Sequence, residues 1–266
     1  MQILLAKDAI FPITKNIEGE KFDISPKTDI GIPGTIQGEG KLSGIASLFI
    51  RFAGCNLFCQ WQTSYGISEC DTSYASYNIS GSVKTDTDVV VQTILLNSKN
   101  IDHVVITGGE PFLQRDALLD LCKKLKSHNF HITIETNATI YDKDVCKYVD
   151  LLSLSPKLMS STPQNNHKEA HERLRLNYSV IQNFISSKKD VQLKFVVSNS
   201  KDIDEIKLLL QNLSGWKKED ILLMPPGTTY EELNQSSNFI IKNCLLNGWR
   251  YSTRLQIILF GNKIGV

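Results

Sequence analysis

From residue 85 onward the chain repeats one unit: a short apolar, β-branched run, a turn, then apolar residues at helical spacing. This alternation limits the fold more than any other feature, because strands separated by helices pair in parallel through right-handed crossovers. The runs 103–107 (HVVIT), 131–136 (HITIET), 151–155, 191–197 and 221–224 read as strands, and 46–53 (ASLFIRFA) precedes them as a first strand. Helices are expected over 85–97, 115–127, 142–148, 202–212 and 230–246, with a long charged helical stretch over 166–187. Thr85 and Asp88 have the form of a capping box opening the first of these. A closing strand is expected over 254–260. Six strand–helix units and a final strand fit a curled, incomplete (βα)6 barrel, an α/β fold of the partial TIM type. At 266 residues and 41% apolar content the chain suits one such domain spanning 1–266. Residues 1–34 read as an N-terminal arm of unassigned role, although 1–13 could form a strand.

In parallel barrels the reactive side chains collect at the carboxyl ends of the strands. Each polar or glycine-bearing motif of the chain falls there. Gly108-Gly109-Glu110-Pro111 follows 103–107, Glu135-Thr136-Asn137 ends 131–136, and Ser155-Pro156-Lys157 ends 151–155. Met224-Pro225-Pro226-Gly227 ends 221–224, and Thr35-Ile36-Gln37-Gly38-Glu39-Gly40 lies just ahead of the first strand. Within that strand Arg51 is an awkward charge to bury, unless its planar fork meets a carboxylate.

The first strand runs into a loop over 54–75 in which no helical or strand period survives. Cys55, Cys59 and Cys70 bring three of the six cysteines within 16 positions of it. Thiolates crowded on a loop indicate a soft metal or an iron–sulfur cluster. A structural zinc knot is the competing reading, although zinc normally takes four ligands and the loop offers three cysteines and no histidine.

The spacing Cys55-x-x-x-Cys59, one residue, then Trp61 resembles the cluster motif of radical S-adenosylmethionine (SAM) enzymes. It departs from that motif at Gln62, where the third cysteine is expected; Cys70 arrives only after an apparent insertion, 62–69 (QTSYGISE). Lengthening the loop from two to ten residues costs only about 1.4 kcal/mol of closure entropy. Thiolate–metal binding is worth on the order of 10 kcal/mol, so the longer loop still closes. The segment that follows, Cys70-Asp71-Thr72, is similar to that of the 7-carboxy-7-deazaguanine synthase family, and the likeness runs from about 35 to 266.

This resemblance implies a partial barrel of the radical SAM class and the ring contraction of 6-carboxy-5,6,7,8-tetrahydropterin to 7-carboxy-7-deazaguanine with loss of ammonia, in deazapurine (queuosine-type) biosynthesis. It implies a 4Fe-4S cluster on Cys55, Cys59 and Cys70, with SAM on the open iron. SAM would meet Glu69, Cys70, Asp71, Gly108, Gly109, Glu110, Ser155, Pro156, Lys157, Met224, Pro225, Pro226 and Gly227. The pterin would meet Ile36, Gln37, Gly38, Glu39, Arg51, Thr107 and the Val266 carboxylate, with Thr72 holding magnesium. A homodimer and a flavodoxin- or ferredoxin-type electron donor are also implied. Other radical SAM enzymes, glycyl-radical activases among them, carry the same cluster and Gly-Gly-Glu-Pro, and a non-catalytic metal-binding module stays open as well.

A net charge of +1 gives no global footprint for nucleic acid. No apolar run approaches the roughly 20 residues of a membrane span and no signal peptide opens the chain, so a soluble, cytoplasmic protein is expected. Cys122, Cys146 and Cys244 lie among apolar helix residues and read as core; Cys244 is grouped with Ile240, Ile241 and Leu245. His128, His167 and His171 sit among polar, exposed-looking positions with no catalytic role.

Overall fold

The computed structural model describes residues 1–24, 28–63 and 66–266, so residues 25–27 of the arm and 64–65 of the insertion lie outside the described residues. Seven strands run parallel in chain order: β3 (Ala46–Phe52), β7 (His103–Gly108), β8 (His131–Thr136), β9 (Leu151–Leu154), β10 (Asp190–Val196), β11 (Ile221–Met224) and β12 (Arg250–Tyr251). The 1–34 segment is more than an arm. Its strand β1 (Gln2–Phe11) pairs antiparallel with β3, and β6 (Val83–Asp86) pairs with the far side of β1. The short β2 (Thr35–Ile36) pairs antiparallel with β3. Beyond β1, the chain is pinned by Asn97, whose Oδ1 accepts from the Thr14 N–H at 2.8 Å and whose Nδ2 donates to Lys15 O at 2.7 Å.

One face of the sheet is purely apolar. Leu48, Ile50, Val104, Ile106, Ile132, Ile134, Leu193 and Phe195 pack there against helices α2 (Thr87–Asn97), α3 (Arg115–Ser127) and their successors, which follow the one-turn α1 (Ser73–Ser76) in the chain. Cys122, Cys146 and Cys244 sit in this core, as expected. The residues between them along each strand face the interior, and these are mostly polar. His103 bridges three strands, with Ser47 Oγ at 2.8 Å from Nδ1 and Thr133 Oγ1 at 2.8 Å from Nε2. Gln192 donates to Ser153 Oγ at 2.7 Å and accepts from the Lys41 N–H at 2.7 Å. Much of this polar floor is hydrogen-bonded, although the buried His131 Nδ1 has no partner, and it leaves the carboxyl ends of the strands open as a cavity.

Several boundaries differ from the sequence reading. The first helix begins at Thr87, capped by Asp86, whose side chain accepts from the Asp88 N–H; Thr85 belongs to β6. The helix expected over 142–148 is the short α4 (Lys143–Cys146), capped by Asp142. The stretch 166–187 is two helices, α5 (Lys168–Leu174) and α6 (Tyr178–Ile185). Asn177 caps the second, and Arg175 between them turns inward to Glu205 at 2.6 Å. Two further helices, α7 (Ser200–Gln211) and α8 (Tyr230–Asn247), follow β10 and β11. The expected closing strand is helix α9 (Leu255–Phe260), because β12 takes the sheet edge and Leu255 N–H is committed to Gly38 O at 2.9 Å. On α8, Cys244 and Ile240 are buried, but Ile241 and Leu245 face solvent, Leu245 at 80% exposure. His171 is buried rather than exposed, beside Ser161 Oγ at 3.2 Å. Among the described residues no helix is long and apolar enough to cross a membrane.

Candidate active site

β3 delivers the chain to Gly54 at the rim, and the turn after β7 is stitched to both ends of the cysteine loop. Gly109 N–H donates to Phe52 O at 3.1 Å, Glu110 N–H to Gly54 O at 2.8 Å, and Gly54 N–H to Ala75 O at 2.7 Å. A Cβ on Gly109 would stand 2.1 Å from Gly54 O and 2.8 Å from Ala75 O. Glycine is therefore required by the protein's own backbone there, before any cofactor is considered. Glu110 turns away from the cavity. Its carboxylate is fully buried and accepts from Phe112 N–H at 3.0 Å, Asn137 N–H at 2.7 Å and the Thr136 hydroxyl at 2.8 Å. Burial pushes it up to about 7 against the pull of those donors.

The 62–69 insertion contributes to a β-hairpin, where the sequence shows no strand period. β4 (Gln60–Thr63) pairs antiparallel with β5 (Gly66–Glu69) in the register Gln60↔Glu69 to Thr63↔Gly66. One step beyond that ladder, Cys70 N–H donates to Cys59 O at 3.2 Å. The hairpin runs out and back, so the third cysteine returns beside the second. Phe58 stacks between Tyr77 (centroids 4.3 Å) and His167 (3.8 Å), which fixes the loop against the N-terminal end of α5.

Cys55, Cys59 and Cys70 line one cavity of about 270 Å³. Cys70 Sγ lies 3.4 Å from Thr72 Oγ1, and Asn137 Nδ2 lies 3.7 Å from Cys55 Sγ. Burial pushes the Cys55 thiol up to about 11 and Cys59 higher still. Thiols in such surroundings ionise when cationic iron compensates them. The donor set fits a cluster held by three thiolates: three soft sulfurs face one open cavity, with hydroxyl and amide groups alongside them.

The same cavity brings together the other candidates. Glu69, Asp71, Gly108, Gly109, Ser155, Lys157, Met224, Pro225, Pro226 and Gly227 line it, as do Ile36, Gln37, Gly38, Glu39, Arg51, Thr72, Thr107 and Val266. Glu110 and Pro156 do not. Arg51 lies between the rings of Phe11 (5.1 Å) and Tyr74 (5.8 Å), and its buried Nε has no hydrogen-bond partner. Val266 is buried at the cavity wall.

Glu39 is held by groups that sequence reasoning missed. Its Oε2 is paired with Lys194 Nζ, and its Oε1 accepts from Arg254 Nε at 3.0 Å and Gln256 Nε2 at 2.8 Å. Although burial opposes it, the two cations hold Glu39 well below the usual carboxylate range. Arg254 also pairs with Asp71 through Nη2, and that pairing keeps Asp71 low as well. Lys194 carried the same signal as Arg51, a charge inside an apolar strand (DVQLKFV). Glu135 lines the cavity too, accepting from Gln37 Nε2 at 3.3 Å.

Residues 49–185, just over half of the chain, match the Radical SAM superfamily. The 7-carboxy-7-deazaguanine synthase of Halobacterium salinarum is 34% identical over 241 residues, covering 86% of this chain and 88% of that protein. The Rhodopirellula baltica protein of the same name is 36% identical over 233 residues, covering 86% and 84%. This chain belongs to the 7-carboxy-7-deazaguanine synthase family. The crystal structure of QueE from Escherichia coli has the same fold, with a TM-score of 0.61 at 22% identity over 92% of this chain and 94% of that one. Family membership sets aside the glycyl-radical activase and the non-catalytic module, and it makes the chain a radical SAM enzyme with a 4Fe-4S cluster and SAM as cofactors.

Proposed function

We propose that this enzyme contracts the ring of 6-carboxy-5,6,7,8-tetrahydropterin to 7-carboxy-7-deazaguanine, releasing ammonia, on the deazapurine route. The observation that carries the reading is that the three cysteines and the charged Arg51, with no carboxylate paired to it among the described residues, line one cavity. Cys55, Cys59 and Cys70 would hold the cluster. Glu69, Asp71, Gly108, Gly109, Ser155, Lys157 and the turn 224–227 would hold SAM, and Thr72 a magnesium ion. When bound, cluster and SAM supply the one-electron chemistry that removes a hydrogen atom from the substrate.

The chain's own residues select and orient. Arg51, sandwiched by two rings, gives the substrate carboxylate a bidentate partner already fixed in direction. Gln37, with its amide turned to Glu135, and Thr107 meet the polar edge of the pterin, and Val266 closes the wall. Glu39, pinned by Lys194 and Arg254, presents a charge that does not need to reorganise on binding. The enzyme acts in the cytoplasm as a homodimer and takes electrons from a flavodoxin- or ferredoxin-type donor.

The test is anaerobic reconstitution with iron and sulfide, then incubation with SAM, reductant and the carboxylated tetrahydropterin. Mass spectrometry should find 7-carboxy-7-deazaguanine, and its absence from a protein that cleaves SAM rejects this substrate. A Cys70→Ala variant should lose bound iron and SAM cleavage together. Full iron content in that variant would remove Cys70 from the cluster.

A further inference from the structure

Arg254 does more than help hold Glu39, because its guanidinium touches three separate segments of the site. Nε donates to Glu39 on the pterin side at 3.0 Å, Nη1 donates to Gly227 O in the turn after β11 at 2.7 Å, and Nη2 pairs with Asp71, the neighbour of Cys70. All three nitrogens are therefore committed, on a side chain that is 14% exposed. Glu39 does not need Arg254 to stay in place, because Lys194 and Gln256 hold it already. What Arg254 adds is a rigid span from Glu39 to the cysteine loop. The residue also opens the C-terminal segment, whose next N–H bonds Gly38 O at 2.9 Å and whose last residue reaches the cavity wall.

We propose that Arg254 is a positioning residue that couples the pterin seat at Glu39 to the cysteine loop at Asp71 through one guanidinium. A displacement of Glu39 is transmitted to Asp71 because the planar fork cannot bend between its nitrogens. Lysine, with a single ammonium on a flexible stem, would keep the charge and lose the span. The assignment of the Glu39 side to the pterin rests on the function proposed above. The coupling itself does not, and it is tested without ligand.

The experiment is a double-mutant cycle read by hydrogen exchange in the full-length protein, following the peptide that covers residues 69–76. Glu39→Gln alone should speed exchange there by at least about threefold, a coupling within the usual range for residues sharing a network. In an Arg254→Met background the same Glu39→Gln change should have no further effect, and Arg254→Lys should behave like Arg254→Met. In the reconstituted enzyme Arg254→Lys should raise KM for SAM about tenfold, because Asp71 and Gly227 lose their fixed partner, and KM for the pterin by less, because Lys194 and Gln256 still hold Glu39. Additive effects of Glu39→Gln and Arg254→Met, or an unmoved 69–76 peptide in Glu39→Gln, overturn the proposal. So does restored coupling in Arg254→Lys, since charge alone would then suffice. If the wild-type enzyme makes no deazapurine, the substrate assignment fails while the exchange cycle still decides the coupling.

Discussion

His103 offers a direct test of how the barrel floor is built. It is 2% exposed and bridges Ser47 on β3 to Thr133 on β8, so it ties together the strands that carry Arg51, Thr107 and Glu135. Burial, with His131 beside it, pushes His103 from 6.5 down to about 4. The native state therefore keeps this ring neutral while the unfolded chain protonates it below pH 6.5. Stability from this group is complete above pH 6.5 and is lost as pH falls toward 4. A difference of this size is worth about 3 kcal/mol between the two ends of that window. Replacing His103 with Gln keeps a donor and an acceptor between the two hydroxyls but removes the titration. Urea unfolding of wild type and His103→Gln at pH 7, 5.5 and 4 then reads the effect as a change in midpoint at constant slope. The stability advantage of wild type should shrink by about 3 kcal/mol across the series. His171, also driven down to about 4 by burial, should lower both proteins equally and cancel in the difference. An advantage that stays constant from pH 7 to 4 would show that His103 is charged, or solvated, in the native protein.

Other consequences can be checked alongside it. Glu39→Gln leaves Lys194 facing a neutral amide, so unfolding free energy should fall by about 3 kcal/mol, the lower end for breaking a buried pair because Asp71 still holds Arg254; an unchanged denaturation midpoint would contradict that. Gly109→Ala would force its methyl onto Gly54 O, and the melting temperature and iron content should both drop; full iron loading would mean the cysteine loop shifts freely. Arg51→Met should weaken binding of the carboxylated pterin at least tenfold while leaving binding of a pterin lacking the carboxylate unchanged; equal losses for both would deny the carboxylate contact. Deleting residues 62–67, which removes most of the hairpin but leaves Glu69 beside Cys70, should reduce turnover with a flavodoxin-type donor but not with dithionite, if the hairpin shapes the donor's landing surface; equal losses with both reductants would discard that idea.

Much of the architecture was legible because it is written in local patterns. The helix over 115–127 matches the structure at both ends, since Leu118, Leu121, Cys122 and Leu125 repeat at helical spacing and are all buried. The strands 131–136 and 221–224 are equally plain. Misreadings arose where a tertiary contact overrides the local preference. RLQIILF has a strand-like composition, but a sheet edge already filled by Arg250 and Tyr251 leaves it to coil into α9. The cavity residues were found where a motif marked them. Lys194 and Arg254 escaped because their partner, Glu39, is 155 and 215 positions away in the chain. Glu110 stands in the expected motif but turns into the protein, a direction set by donors from β8 and the segment after it.

The hairpin between Cys59 and Cys70 turns the distance between two proposed cluster ligands into an adjustable quantity. Each strand can grow or shrink by one residue without moving the sulfurs at its base, so lengths that change in steps of two are tolerated. A single added residue would rotate every outer side chain to the opposite face or require a bulge. Relatives with widely differing counts between these cysteines are thus expected to preserve parity, and a search that demands a fixed interval would pass over them.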